Sequence, residues 1–298
     1  MTRQQTTTIA TVLVAGLVLG NVSAQMPYGN TATGEVTDVP RVSTPSAHLQ
    51  EHKTASVVYA YRGADYKGRD METTQYGFTY GITDKLEFGV DQHKMAINGR
   101  TAGNEFDADG TGFQLRYATE LLNTDSAVYL EFRKADGRVI QTGARRIPPD
   151  AETWTLGAVC TEPFGKNDRN RLHIRVSASR SEVGNQNAMT WILGGGVDHD
   201  LSKDWTAQAD VTAFKETGDI SSFEFALSGG VHYDSGSGFF ADVNGTLLPS
   251  GTPLAGNPLA DGSVFILDPV FRAEPIVRDF QDDALGFYTV RVGYTKEL

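Results

Sequence analysis

The amino-acid sequence predicts an all-β protein, an antiparallel up-and-down transmembrane β-barrel of about twelve strands over residues 54–298. From Thr54 onward, apolar and polar residues alternate in one short run after another, and a period of two is the pattern of strands. Many runs reach about 9–11 residues, the length that a tilted strand needs to cross a bilayer, whereas strands of soluble proteins average about 5–6. Short and long connections also alternate, as they do in outer-membrane barrels.

The N-terminal residues 1–24 have the pattern of a secretory signal peptide. Arg3 precedes an apolar run over residues 9–19, and the small residues 22–24 supply a cleavage site. We expect this segment to be removed on export, the alternative being a retained membrane anchor, for which the run is short. Residues 25–53 are rich in Thr, Pro, Gly and Ser without periodicity, so we expect a flexible periplasmic lead-in.

The clearest hairpin lies within residues 73–90. Two alternating runs flank the tight turn Thr83-Asp84-Lys85, which is the sequence signature of a β-hairpin. Its apolar face holds Tyr76, Phe78, Tyr80, Ile82, Leu86, Phe88 and Val90.

The same alternation recurs along the rest of the chain. It predicts further strands around residues 56–62, 113–121, 128–133, 153–160, 172–179, 189–197, 205–212, 223–233, 239–247 and 287–297. Short connections are predicted near Asp84, Asn123, Gly165, Ser202 and Ser235, and long ones around residues 63–70, 98–110, 136–151 and 248–283. A secreted β-sandwich, which also alternates, is the soluble alternative.

Composition and charge narrow the classes of partner. The chain carries 26 basic and 37 acidic residues, a net charge of −11. Nucleic-acid-binding proteins concentrate basic residues, so we expect no nucleic-acid partner. The single Cys160 cannot form an internal disulfide, so an exported chain must be stabilised by other means, of which closing a sheet on itself is one.

Two turns carry a resemblance to a known family. Residues 80–90, Tyr-Gly-Ile-Thr-Asp-Lys-Leu-Glu-Phe-Gly-Val, resemble a recurrent hairpin of bacterial outer-membrane barrels. They are similar to the outer-membrane transporter group that includes the phenol-degradation-pathway channels. Residues 194–205, Gly-Gly-Gly-Val-Asp-His-Asp-Leu-Ser-Lys-Asp-Trp, resemble a periplasmic turn later in such chains. The resemblance covers residue 54 to the end and is specific for architecture, not for a substrate.

The resemblance implies a location and partners. It implies an outer-membrane protein in contact with outer-membrane lipid, inserted by the barrel-insertion machinery. It also implies a channel or transporter for small solutes, hydrophobic organic ones among them. Such barrels commonly end in an aromatic residue, whereas here Tyr294 is followed by Thr295-Lys296-Glu297-Leu298.

No catalytic or cofactor motif occurs in the sequence. It has no phosphate loop, no zinc-type His-Glu spacing and no Gly-x-Ser-x-Gly elbow, so we expect no enzyme activity, no cofactor and no metal. His48 and His52 are four residues apart, but their segment has the composition of a loop, so a metal site there is the weaker interpretation. His173, Ser177 and Ser179 share one face of one strand, which leaves an outer-membrane lipid hydrolase as a weaker alternative.

The informative feature is a set of charged and histidine side chains on the predicted polar face. Because an Arg or Lys facing the lipid midplane costs about 2–4 kcal/mol, these side chains are expected to line the lumen. The set comprises Lys85, Glu87, Asp91, Arg116, Glu120, Glu131, Arg133, His173, Arg175, Asp210, Glu224 and Arg291.

Two hypotheses follow for the lumen. In one, the charges line a pore and tune the passage of solutes. In the other, they pair with one another and fill the lumen of a structural or surface-interaction barrel. Twelve strands lie between eight, which side chains fill, and sixteen, which leave an open channel. The proline-rich segment 248–283, with its apolar run 264–267, is either a lid that folds inward or a surface loop with an extra hairpin.

Overall fold

The computed structural model describes residues 46–66, 69–98, 105–121, 124–140, 150–165, 169–183, 186–217, 224–248 and 285–298. The predicted signal peptide, and the 248–283 segment beyond Leu248, lie outside these ranges. The strands are β1 (Thr54–Tyr66), β2 (Arg69–Thr83), β3 (Leu86–Asn98), β4 (Glu105–Leu121), β5 (Thr124–Ile140), β6 (Asp150–Phe164), β7 (Asn170–Val183), β8 (Gln186–Asp200), β9 (Trp205–Thr217), β10 (Glu224–Asp234), β11 (Phe239–Leu248) and β12 (Leu285–Glu297).

These strands form one closed antiparallel barrel. Each strand pairs with its neighbours in sequence, and β12 closes the ring by pairing with β1, with Val292 opposite Tyr59. The predicted up-and-down antiparallel barrel of about twelve strands is therefore confirmed as a fold. Within the described ranges, no helix is long and apolar enough to cross a membrane.

Alternation along each strand separates two surfaces. Large apolar side chains face outward and are exposed, such as Val57 and Val243, each 54% exposed. Inward-facing side chains are mostly buried, and among the described buried residues polar and charged types outnumber hydrophobic ones. The barrel is thus apolar outside and polar inside, the reverse of a soluble domain.

Several strands are longer than the sequence pattern predicts. β4 and β5 have 17 residues each, and they remain paired out to Phe106 opposite Val139. The predicted long connections around 63–70, 98–110 and 136–151 are therefore wrong in part, because strand residues occupy much of each range. Apolar residues such as Phe106 and Val139 are too sparse in these ranges to give a sustained alternation, so only backbone pairing with the neighbouring strand reveals the strands there.

The connections at one end of the barrel are all five residues or shorter, whereas four of the six at the other end have six residues or more. At one end they span residues 84–85, 122–123, 165–169, 201–204 and 235–238. At the other end they span residues 67–68, 99–104, 141–149, 184–185, 218–223 and 249–284. The first set marks the short-connection end, where the start of β1 and the end of β12 also lie, since the backbone N–H of Leu298 donates to Lys53 O at 2.8 Å.

Candidate functional site in the barrel lumen

The structure places most of the predicted lumen residues with buried side chains on the inward faces of the strands. These are Glu87, Asp91, Arg116, Glu131, Arg133, His173, Arg175, Asp210 and Arg291. Lys85 and Glu120 instead have exposed side chains beside the short connections 84–85 and 122–123. Glu224 begins β10, and its side chain lies outside the described set.

One charge cluster joins β3 and β5 and centres on Arg133. Its Nη2 donates to Asp91 Oδ2 at 2.8 Å, and its Nε donates to Glu131 Oε1 at 2.7 Å. Gln75 of β2 adds a hydrogen bond to Asp91 Oδ1 at 3.2 Å, and the His93 ring lies 3.4 Å from the same oxygen. Each of these side chains is at least nine-tenths buried, so one guanidinium bonds to two carboxylates away from bulk water.

A second cluster lies on β7 and β8 near the short-connection end. Arg171 makes two hydrogen bonds to Asp200, of 2.6 and 3.1 Å. Asp198 lies 3.7 Å from Arg171 Nε and 2.8 Å from His173 Nε2. His173 Nδ1 in turn lies 3.0 Å from Thr161 Oγ1 of β6. Both ring nitrogens of this histidine are therefore engaged in hydrogen bonds.

The remaining inward cations also have partners. Arg291 of β12 donates to Asp242 Oδ2 at 2.8 Å, and His232 of β10 contacts Asp242 Oδ1 at 3.0 Å. Arg175 donates from Nε to the Tyr129 hydroxyl at 2.9 Å. The inward charges named here are thus hydrogen-bonded to side chains on the same or nearby strands rather than isolated.

Glycines on the inward faces make room for these large side chains. A Cβ at Gly112 would overlap the Asp91 carboxylate, and one at Gly110 would overlap the His93 ring. The two glycines of β4 thereby leave room for the side chains of Asp91 and His93 on β3.

Residues 46–53, the last eight of the predicted lead-in, enter the barrel; we call them the cross-lumen segment. The sequence predicts a flexible lead-in over 25–53, and in the structure inward side chains bind the backbone of these last eight residues. Ser46, Ala47 and Gln50 are each 2% exposed or less.

The wall of the barrel holds the cross-lumen segment by polar contacts. Arg116 Nη2 donates to Ser46 O at 2.6 Å, and Glu87 Oε2 accepts from the backbone N–H of Gln50 at 2.6 Å. Thr161 Oγ1 accepts from the backbone N–H of Ala47 at 2.7 Å.

Two weaker interpretations of the histidines receive no support from the contacts. His48 lies 3.9 Å from Asp125, whereas His52 contacts Ile82 O at 2.9 Å, so the two rings have different partners. His173 contacts Thr161 and Asp198, while Ser177 accepts a hydrogen bond from Arg175 Nε. In the parts of the chain that the structure describes, no group of three or more His, Cys, Asp or Glu could hold a metal ion.

Sequence reasoning omitted several members of these clusters. Asp198, Arg171, Asp242, His93 and His232 all face inward and are buried. The alternating pattern does predict their inward position, because each lies an even number of residues from another inward residue on its strand, as Asp242 does from Asn244. The cross-lumen segment gave no comparable signal, because its backbone makes the contacts with Arg116, Glu87 and Thr161.

Comparisons with known proteins give a fold and no family. No protein-family model and no curated protein matches the chain. The solved structure of LpxR from Salmonella typhimurium matches with a TM-score of 0.50 at 8% identity, covering 81% of this chain and 99% of that chain. A KdgM porin in complex with disordered oligogalacturonate matches with a TM-score of 0.47 at 10% identity, covering 80% and 98%. A NanC porin has the same TM-score, identity and coverages. Likenesses at this level of identity show the barrel fold alone.

Proposed function

We propose that this chain is an outer-membrane β-barrel whose lumen conducts small polar or charged solutes. The observation that carries the proposal is the inverted distribution of side chains, apolar outside and charged inside. An exposed apolar surface that encircles a closed barrel fits contact with lipid, because every strand finds its backbone partners within the ring.

The outer surface supports the membrane part of the proposal. Aromatic side chains pair there across strands, with ring centroids 5.0 Å apart for Trp205 and Tyr233 and 5.2 Å apart for Tyr59 and Tyr76. Outer-membrane barrels place such residues at the membrane interfaces. Outer-membrane lipid is therefore the proposed partner of this surface, and delivery by the barrel-insertion machinery remains a prediction.

The inner surface supports a polar solute over a hydrophobic organic one. Guanidinium, carboxylate and imidazole groups project inward on β3, β4, β5, β7 and β12. A hydrophobic molecule entering this lumen would remove the solvation of charged groups without replacing their hydrogen bonds. An ion or sugar-like solute offers such replacements, so we propose that class.

A sealed structural barrel is the second candidate. It is favoured by the buried pairing of Arg133 with Asp91 and Glu131 and of Arg291 with Asp242. Under this candidate the charges fill the lumen and loop residues carry the function.

The test is conductance of the refolded protein. Heat-modifiable gel migration in detergent and retention in lipid vesicles are expected, and a compact monomer in plain buffer would contradict the membrane assignment. Planar-bilayer recordings are expected to show discrete channel events. In a salt gradient, R133Q should shift the reversal potential in the direction of greater cation selectivity, because it removes a positive charge from the lumen. K134Q, one residue away on the exposed face, is the matched control and should leave the reversal potential unchanged. Absence of conductance in both the wild type and G81A, a substitution that should displace the cross-lumen segment, would favour the sealed barrel.

A further inference from the structure

We infer that the cross-lumen segment, residues 46–53, is an internal gate that closes the short-connection end of the barrel and leaves its seat when solute passes. The inference rests on the proposed channel function, and its tests separate the two. It assigns a closing role to eight residues whose composition predicts only a linker.

The cross-lumen segment reaches opposite walls. Near its C-terminal end, Gln50 accepts a hydrogen bond at Oε1 from Ser56 of β1 at 3.0 Å. At its N-terminal end, Ser46 and Ala47 contact Thr161 of β6. In the closed order of twelve strands, β1 and β6 are five positions apart, close to half the circumference. The segment therefore follows the inside of the barrel over about half of the ring, from β1 to β6.

The contacts of the segment with Glu87 and Thr161 fall near the short-connection end. Glu87 is the second residue of β3, directly after the 84–85 connection, and Thr161 lies close to the end of β6. The segment thus lies in one mouth of the lumen and outside the Arg133 cluster, which is deeper along β5. A solute that crosses the whole lumen passes through the mouth that the segment narrows.

The segment can leave without opening the wall. Its seat includes hydrogen bonds and a small apolar contact, in which Ala47 and Leu49 pack with Ala127 and Val159. The strands are paired to each other around the full ring independently of it. A small set of hydrogen bonds and apolar contacts can break while the paired ring stays intact, so release is a local event of the kind that occurs below global unfolding.

The hinge of the gate is built at the start of β1. Lys53 has a φ of 60°, in the left-handed region that non-glycine residues rarely occupy, so its neighbours must hold it there. Its N–H donates to Gly81 O at 2.9 Å. A Cβ at Gly81 would overlap the backbone oxygen of Glu51, so only glycine lets the segment approach β2 here.

Gly81→Ala is therefore the releasing substitution, and Gly77→Ala is its matched control. Both glycines lie on the same face of β2, but a Cβ at Gly77 would meet only Val58 Cβ at 3.8 Å, an ordinary contact. In planar bilayers, the full-length G81A protein should show an open probability at least tenfold above that of the wild type, and G77A should match the wild type.

Thiol labelling detects release of the cross-lumen segment even in a protein that does not conduct. A47C in a C160S background places the only thiol on the seat, where the native Ala47 is 2% exposed. In detergent micelles, a polar maleimide should label it at least tenfold faster with G81A than with G77A. Equal labelling rates would overturn the inference, because the segment would not depend on its seat at Gly81.

A reversible lock tests closure in the opposite direction. Ser46 Oγ and Thr161 Oγ1 are 3.4 Å apart, close enough for S46C and T161C to form a disulfide in the C160S background. The oxidised protein should conduct less than the wild type, and a reductant should restore conductance.

The outcomes separate the gate from the channel. Conductance that is the same in wild-type, G81A and oxidised S46C/T161C proteins leaves the channel in place and removes the gate. Faster labelling of A47C in the G81A protein together with electrical silence removes the proposed channel, and with it any role for a gate.

Discussion

Glu87 and Arg116 face each other across β3 and β4, and both hold the backbone of the cross-lumen segment. Their closest atoms, Glu87 Oε1 and Arg116 Nη1, are 3.5 Å apart, and both side chains are 2% exposed or less. Glu87 accepts from the N–H of Gln50 while Arg116 donates to Ser46 O. The ion pair and the seat of the segment are therefore one hydrogen-bonded unit.

This unit predicts energetic coupling between its members. R116M should lower the free energy of unfolding by about 3–5 kcal/mol, since it leaves Glu87 buried without its cation. The double variant E87Q/R116M should lose less than the sum of the two single variants, by about 0.5–3 kcal/mol. Equilibrium unfolding in denaturant, followed by tryptophan fluorescence in lipid vesicles, measures the cycle. Additive losses would show that the two side chains act separately.

Among the charged residues deeper in the lumen, we expect replacement of Arg133 to cause the largest loss of stability. R133A leaves Asp91 and Glu131 both buried without their shared guanidinium, so we expect a loss of about 3–5 kcal/mol in the free energy of unfolding. Lys134, the next residue, pairs with Glu152 at 3.2 Å on the exposed face. K134A should cost no more than about 1 kcal/mol. Equal losses in the same vesicle assay would mean that burial does not distinguish the two pairs.

Gly157 predicts a steric defect inside the barrel. A Cβ there would overlap the ring of Tyr129, whose hydroxyl accepts from Arg175. G157A should therefore destabilise the protein by about 1–3 kcal/mol through overpacking. Gly245 is the control, because a Cβ at that position meets no atom within 4 Å. Adding Y129L to G157A should recover part of the loss, and a G157A protein as stable as G245A would contradict the packing seen here.

Val243 tests which surface meets lipid. It is 54% exposed on β11 and lies opposite Val231 and Val290, in the middle of an outward apolar row. V243R should cost about 2–4 kcal/mol if this row lies at the membrane midplane. S237R, in the exposed 235–238 connection, should fold as the wild type does. Heat-modifiable migration and the folded fraction in vesicles report both, and an unaffected V243R protein would show that the row does not face acyl chains.

Strand direction and the two barrel surfaces follow from the sequence. A run such as Phe113, Leu115 and Tyr117 repeats with a period of two, and side chains in a strand alternate between faces with that same period. Apolar residues therefore share one surface and charged residues the other, and this holds whichever side chains they contact on neighbouring strands. The predicted inward positions of Glu87, Arg116 and Arg133 depend on this local geometry alone.

Tertiary structure alone decided which charges meet and where residues 46–53 lie. The contact between Arg133 and Asp91 joins residues 42 positions apart and exists only once β3, β4 and β5 are in register. The cross-lumen segment is bound to Arg116, Glu87 and Thr161 through its backbone N–H and C=O groups, which every residue type except proline carries. The side chains of the segment therefore do not predict this contact. It depends on Glu87, Arg116 and Thr161, which come together only in the closed barrel.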